Sequence, residues 1–281
     1  MMEILSEQQI VKRLEKRQPF TARAESGGFE VRVKRYLPMV VTAIHDGHEV
    51  TAGLAAQMKV TEEQRRFEED PYTVAYAEAF DISIMGLNSR YFCDLNRSPE
   101  RCIYEEAWGR QVWKTPLEGP EKERLLERHA AYYRVLDGLL TVLTEDFGSA
   151  VLYDLHSYNY LRLNGEPPLF NVGSHFMDLQ RFGAVVDHLV GKLAAIELPG
   201  CRSRAVMDEV FEGTGYQAEF VHRHHPDVFC VPLEIKKVFM DEASLKLRTT
   251  IFTPLREQLI GAVMSNYNCF RALTGKDTGE R

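Results

Sequence analysis

Five cysteines are scattered through 281 residues, and no two stand in CxxC spacing. An odd, dispersed set argues against a disulfide framework and against a cysteine zinc site, and it fits reduced thiols in a cytoplasmic protein. No apolar run approaches the ~20 residues of a membrane-spanning helix. The N-terminus, Met1-Met2-Glu3-Ile4-Leu5-Ser6-Glu7, lacks the basic start and apolar core of a signal peptide. Positive charge is in deficit: 34 Lys and Arg against 41 Asp and Glu give a net charge of −7. No long basic stretch offsets it, so the chain is not expected to bind nucleic acid or a membrane surface. Internal repeats and low-complexity tracts are also missing, and no linker divides the chain, so residues 1–281 read as one domain.

What is present is the mix of an ordinary globular protein, 44% hydrophobic and 27% charged. Residues 4–17 have the pattern of a short amphipathic helix. Ser26-Gly27-Gly28 then breaks the chain between two antiparallel strands, the second being Phe29–Val33. Met39–Ile44 and Phe80–Met85 are apolar strands, separated by helical segments over 49–58 and 61–79. Thr61 with Gln64 makes a capping box, and Pro71 breaks the second segment. Residues 98–119 are irregular, 120–146 form a long helix stopped near Gly148, and 149–156 form a buried strand. Asn164-Gly165 reads as a hairpin turn, Leu169–Val172 as a strand, 177–196 as a helix, Gln217–His222 and Val228–Ile235 as strands. A last helix starts at Pro254, and the polar tail from Gly275 to Arg281 is expected to fray. Strands alternating with helices predict an α/β fold, three layers in αβα order around a mostly parallel mixed sheet.

Chemistry concentrates at predicted strand ends. Asp154 and His156, two apart on one strand, share a face at its C-terminal end, which is where open α/β sheets bind ligands. Burying a carboxylate and an imidazole there is costly unless they are paired or hold a metal. His45-Asp46-Gly47-His48-Glu49 closes another strand. His45, His156 and either His48 or Glu49 supply three protein donors, with a fourth position open, the pattern of a catalytic zinc site. Ser89-Arg90 and Asp94-Leu95-Asn96-Arg97 offer a guanidinium fork for a carboxylate, and Arg97 is placed to polarise a carbonyl. Glu234, between Leu233 and Ile235, is either an exposed strand residue or a buried base. His222-Arg223-His224-His225 sits at a turn and reads as solvated.

The matching stretches are Ile44–Gly47, Asp70-Pro71-Tyr72, Ser89-Arg90, Asp94–Arg97, Asp154–Ser157, Leu233–Lys236 and Met240–Glu242, spread over residues 44–242. In this order they resemble the N-formylglutamate amidohydrolase family, within the wider group of zinc carboxypeptidases and aspartoacylases. The resemblance implies a carboxypeptidase-like αβα hydrolase with one zinc (Zn2+). It makes His45 and His156 ligands and Glu234 the general base, and it gives Arg90, Asn96 and Arg97 the substrate's carboxylate and carbonyl. The group's HxxE ligand pair has His48 where the Glu is expected; imidazole is an equally competent ligand, so His48 is favoured over Glu49. Asp154 and Asp94 are the carboxylates expected to back the ligands.

The activity that follows is zinc-dependent hydrolysis of an N-acyl amino acid, N-formylglutamate among the options. A carboxypeptidase-like peptidase and a non-catalytic carboxylate binder on the same fold are the other readings. The expected partner is a small carboxylated amide, with self-association left open.

Overall fold

The computed structural model describes residues 2–275. Strand β1 (Glu3–Leu5) and helix α1 (Glu7–Glu15) precede a hairpin of β2 (Phe20–Ala24) and β3 (Phe29–Val33). Strand β4 (Met39–Ala43) leads through three short helices, α2 (Ala52–Ala55), α3 (Glu62–Glu68) and α4 (Thr73–Ala77), to β5 (Ile82–Gly86). A small hairpin of β6 (Glu106–Ala107) and β7 (Arg110–Gln111) comes before the long helix α5 (Gly119–Phe147). The rest is β8 (Ala150–Tyr158), β9 (Phe170–Val172), α6 (Leu179–Ala194), β10 (Ala205–Met207), α7 (Tyr216–His224), β11 (Val228–Lys236) and α8 (Thr249–Thr274).

Nine strands form one sheet in the order β1-β2-β3-β5-β4-β8-β11-β9-β10. The four central strands, β5, β4, β8 and β11, are parallel. Their C-terminal ends therefore share one edge. β3 on one side and β9 on the other pair antiparallel to this centre, so the sheet is mixed and mostly parallel.

Alternation along the central strands feeds two cores. Val41, Tyr153, Leu155, Val231 and Leu233 face α4, α6 and α8. Val40, Leu152, Val228 and Cys230 face α1, α5 and α7. Both faces are buried, which is why the first halves of β8 and β11, residues 150–153 and 228–231, read as apolar runs. The outcome is a three-layer αβα molecule, as the alternation of elements predicted. On the α5/α7 face, β8 changes character along its length. Ala150 and Leu152 are apolar, and Asp154 and His156 continue the same stripe at the C-terminal edge.

Local signals placed several ends well. Ser6 with Gln9 and Thr61 with Gln64 form capping boxes, and Gly148 stops α5 at φ 77°. Three expectations are corrected. Gln217–His222 is not a strand: the buried residues Gln217, Ala218 and Val221 fall at helical spacing in α7, with Gly215 as its N-cap. Asn164-Gly165 turns the chain, but β8 and β9 pair with β11 rather than with each other, so no hairpin forms. Helix α8 begins before Pro254, which sits near its N-terminal end and costs one backbone hydrogen bond there. The expected fraying beyond Gly275 lies outside the described residues.

Candidate active site

Two adjacent parallel strands and two turns deliver the functional side chains. β8 and β11 run in register with His156 opposite Glu234 and Asp154 opposite Pro232, so both acidic and imidazole groups face the same way. β4 ends just before His45. Gly47 allows the turn after it by close approach: a Cβ there would lie 2.2 Å from the Leu87 carbonyl carbon. Asp70 arrives from the other side of the site, between α3 and α4. Its backbone N–H donates to the His45 carbonyl at 2.9 Å. Asp46 locks the same junction by accepting from the N–H groups of Tyr72 (3.1 Å) and Val74 (2.7 Å). Tyr72 is held at φ 71°, a left-handed conformation uncommon for a side-chain-bearing residue.

Three buried donor atoms converge. His45 Nδ1 and His156 Nδ1 are 3.1 Å apart, Asp70 Oδ2 is 3.1 Å from His156 Nδ1, and it is 3.5 Å from His45 Nδ1. The far nitrogen of each ring meets a carboxylate: His45 Nε2 lies 2.7 Å from Asp94 Oδ1, and His156 Nε2 lies 3.1 Å from Asp154 Oδ2. An ionised carboxylate only accepts, so in each neutral ring Nε2 carries the proton and Nδ1 presents a lone pair. Three lone pairs therefore face one another in a buried space, which repels unless a cation or a proton lies between them. Metal–ligand bonds of 2.0–2.2 Å in a tetrahedral shell put donors about 3.3–3.6 Å apart. The observed spacing is near that value. His45, Asp70 and His156 form a group that can hold a metal ion.

The electrostatics around the group agree. Burial opposes a charge on His156, but the Asp154 charge and the hydrogen bonds of Asp154 and Asp70 outweigh it and hold its pKa well above the ordinary value. Burial pushes Asp70 up, yet contacts from His156 and His45 and the Lys237 charge hold it far below the carboxylate range. Lys237 is buried, donates from Nζ to the Glu69 carbonyl at 2.7 Å, and lies 4.0 Å from Asp70 Oδ1. This set of charges takes up protons or a cation.

Each backing carboxylate is itself anchored. Asp94 Oδ1 also accepts from the Asn96 N–H at 2.7 Å. Its Oδ2 accepts from Arg90 Nε (3.1 Å), from Arg90 Nη2 (2.9 Å) and from the Tyr104 hydroxyl. Burial is opposed by the Arg90 charge and then by His45, which keeps the Asp94 carboxyl ionised. Asp154 Oδ1 accepts from Thr42 Oγ1 at 2.9 Å, Thr42 accepts from Gln217 Nε2 at 2.8 Å, and Gln217 accepts from the Tyr132 hydroxyl. All four residues are buried.

The group opens onto a cavity of about 420 Å³ at the C-terminal edge of the sheet. Glu234 lines it and keeps partial access to it. Burial raises the Glu234 carboxyl to about 7, against the His156 charge and with help from Asp70. Arg90, Asn96 and Arg97 also line the cavity. Arg90 is tied to Asp94, whereas Arg97 donates from Nη1 only to the Asn96 carbonyl at 2.9 Å and pairs with no carboxylate among the described residues. Asn96 Nδ2 sits 3.4 Å from His156 Nε2, and its Oδ1 accepts from the Gln217 N–H at the start of α7. Gly215 makes room for this side chain, since a Cβ there would come within 2.3 Å of Asn96 Oδ1.

Of the sequence-derived site residues, His45, His156, Glu234, Arg90, Asn96, Arg97, Asp94 and Asp154 meet here. His48 does not. It is exposed and lines a separate cleft with Asp46 and Glu69. After Gly47 the chain runs alongside the continuation of β5, with Glu49 N–H bonded to the Leu87 carbonyl at 3.0 Å, and this turns His48 outward. Glu49 reaches Arg23 at 2.5 Å on the surface. Asp70 is the carboxylate that sequence reasoning did not assign. Its one signal was the Asp70-Pro71-Tyr72 match. His225 pairs with Asp137 and the His222 ring packs tilted against Phe176, and neither histidine lines the cavity.

Fold and site together define a three-layer αβα protein with a buried His–Asp–His group, able to hold a metal ion, at the C-terminal edge of its sheet. The family description of N-formylglutamate amidohydrolase matches residues 37–240, and the chain belongs to that family. Every donor and backing residue named above falls inside the match. The chain is 27% identical over 235 residues to an N-formylglutamate deformylase of Pseudomonas aeruginosa, covering 73% of this chain and 83% of that one. An N-formylglutamate amidohydrolase of Ralstonia eutropha JMP134 has a similar structure, with TM-score 0.69 and 18% identity over 87% of this chain and 99% of that one. A gene product of Agrobacterium tumefaciens is also similar, with TM-score 0.60 and 15% identity over 88% and 94% of the two chains.

Proposed function

We propose that the protein is a zinc-dependent amidohydrolase that cleaves the amide of a small N-acyl amino acid, N-formylglutamate being the substrate named for its relatives. The observation that carries this reading is the convergence of His45 Nδ1, His156 Nδ1 and Asp70 Oδ2 beside Glu234 in one cavity. His45, Asp70 and His156 hold the ion. When bound there, zinc supplies Lewis acidity toward the amide carbonyl and toward water.

The chain's own residues do the rest. Glu234, with its carboxyl near neutrality, takes a proton from the attacking water and gives it to the amide nitrogen as the C–N bond breaks. The products are the free acid of the acyl group and the free amine of the amino acid. Arg97, paired with no carboxylate among the described residues, receives the substrate's carboxylate bidentately, with Arg90 offering its remaining N–H groups beside it. Asn96 stands next to His156 and is placed to donate to the carbonyl oxygen. Fixing the carboxylate fixes the amide, which converts a bimolecular encounter into a positioned one.

Formate release from N-formyl-L-glutamate by the zinc-loaded protein tests this. The wild type is expected to turn over, and Glu234→Gln is expected to lose roughly 100-fold or more in kcat while keeping its metal. Near-normal turnover in Glu234→Gln removes Glu234 as the base, and no release by wild type removes the substrate class.

A further inference from the structure

The hairpin of β6 and β7 is a two-residue loop, Trp108-Gly109, with φ 50° and 71°. Two left-handed residues in a two-residue hairpin suit Asn-Gly or Asp-Gly. Glycine fits the second place, but a tryptophan in the first has a Cβ that this backbone disfavours. Backbone strain of this kind collects where a side chain is needed in one place. Here the indole lines the cavity that holds the His–Asp–His group. The Arg90 guanidinium lies over it, 4.9 Å from the ring centroid. Tyr91 and Tyr104 pack on the same indole, at 5.2 and 5.6 Å between ring centroids. Arg90 is thus fixed at one edge by Asp94 and on one face by Trp108. Its Nη1 is left with a single long contact, to the Glu68 carbonyl at 3.4 Å.

We propose that Trp108 is a specificity-determining residue. Its indole walls the subsite for the amino-acid part of the substrate and, through Arg90, positions the clamp for a carboxylate. The wall limits the cavity to N-acyl derivatives of short acidic amino acids and turns away bulky ones. This rests on the amidohydrolase reading above and adds to it a residue and a size limit.

The test uses full-length, zinc-loaded protein with N-formyl-L-glutamate and N-formyl-L-phenylalanine. Trp108→Ala is expected to raise KM for the glutamate substrate about tenfold, far more than it lowers kcat, and to shrink the preference over the phenylalanine substrate by a similar factor. Trp108→Phe should recover most of the loss. Trp108→Gly separates binding from folding. Glycine accepts φ 50°, so this variant should unfold at a higher temperature than Trp108→Ala while sharing its raised KM. Active wild type with unchanged KM and unchanged preference in both small variants overturns this inference alone. A KM that follows thermal stability across the variants also overturns it, leaving Trp108 a packing residue. Wild type that neither binds nor hydrolyses either substrate overturns the amidohydrolase reading, and this inference falls with it.

Discussion

Asp70 Oδ2 lies within 3.5 Å of both Nδ1 atoms, and its other oxygen faces the buried Lys237 ammonium. A carboxylate held this way gains little from water, so its charge must be met by the histidines, by Lys237 or by an ion. Glu234 is the contrasting case. Burial raises its carboxyl to about 7, so a proton is bound at lower pH and lost as pH rises through neutrality. A general base acts when deprotonated, so kcat/KM should rise with pH and level off above the limb. A cation on the neighbouring group stabilises the ionised form, which places the apparent pKa at or below that value. The pH–rate profile of the zinc-loaded protein measures this, and an acidic limb that persists unchanged in Glu234→Gln would count against Glu234 as base. These roles were only partly legible in single residues. His156 and Asp154 stood out because alternation on a strand puts them on one face. Asp70 did not, because its meaning comes from the Asp46 and His45 contacts that fold its turn against β4. His48 looked like a donor by spacing, which says nothing of the bridge beside β5 that turns it outward.

At the scale of elements, the site depends on how α7 and α5 lean on the sheet. Gln217 of α7 ties Thr42 of β4, which in turn ties Asp154 of β8. Thr42→Val keeps the shape and removes the hydroxyl, leaving Gln217 Nε2 and Asp154 Oδ1 each short of a buried partner. The expected cost is about 1–3 kcal/mol in stability, read as lowered thermal unfolding, with reduced metal affinity because Asp154 no longer holds His156 as firmly. Unchanged stability and affinity would show that the relay is dispensable. This layer was the hardest to see beforehand. Gln217-Ala218-Glu219-Phe220 alternates by type and mimics a strand. Its helical burial is set by Gly215 and by Asn96, which bonds its first turn from far away in the chain. β4, β5, β8 and β11 were legible because a strand buried on both faces is apolar over most of its length.

The whole molecule brings four parallel strand ends to one edge, and the two cores fix the sheet that carries them. The architecture could be inferred from the order of elements. The meeting of residues 45, 94, 156 and 234 was expected through the family resemblance, whereas that of residue 70 was not, since it follows from strand order β5-β4-β8-β11 and the turn packed against it rather than from chain order. The central claim is that this edge holds one metal through His45, Asp70 and His156. Elemental analysis of protein purified without added metal tests it directly, on wild type beside Asp70→Ala and His48→Ala. The account predicts about one zinc per chain in wild type and in His48→Ala, and almost none in folded Asp70→Ala. Metal lost in His48→Ala but kept in Asp70→Ala, or no metal taken up by wild type even when zinc is supplied, would contradict it.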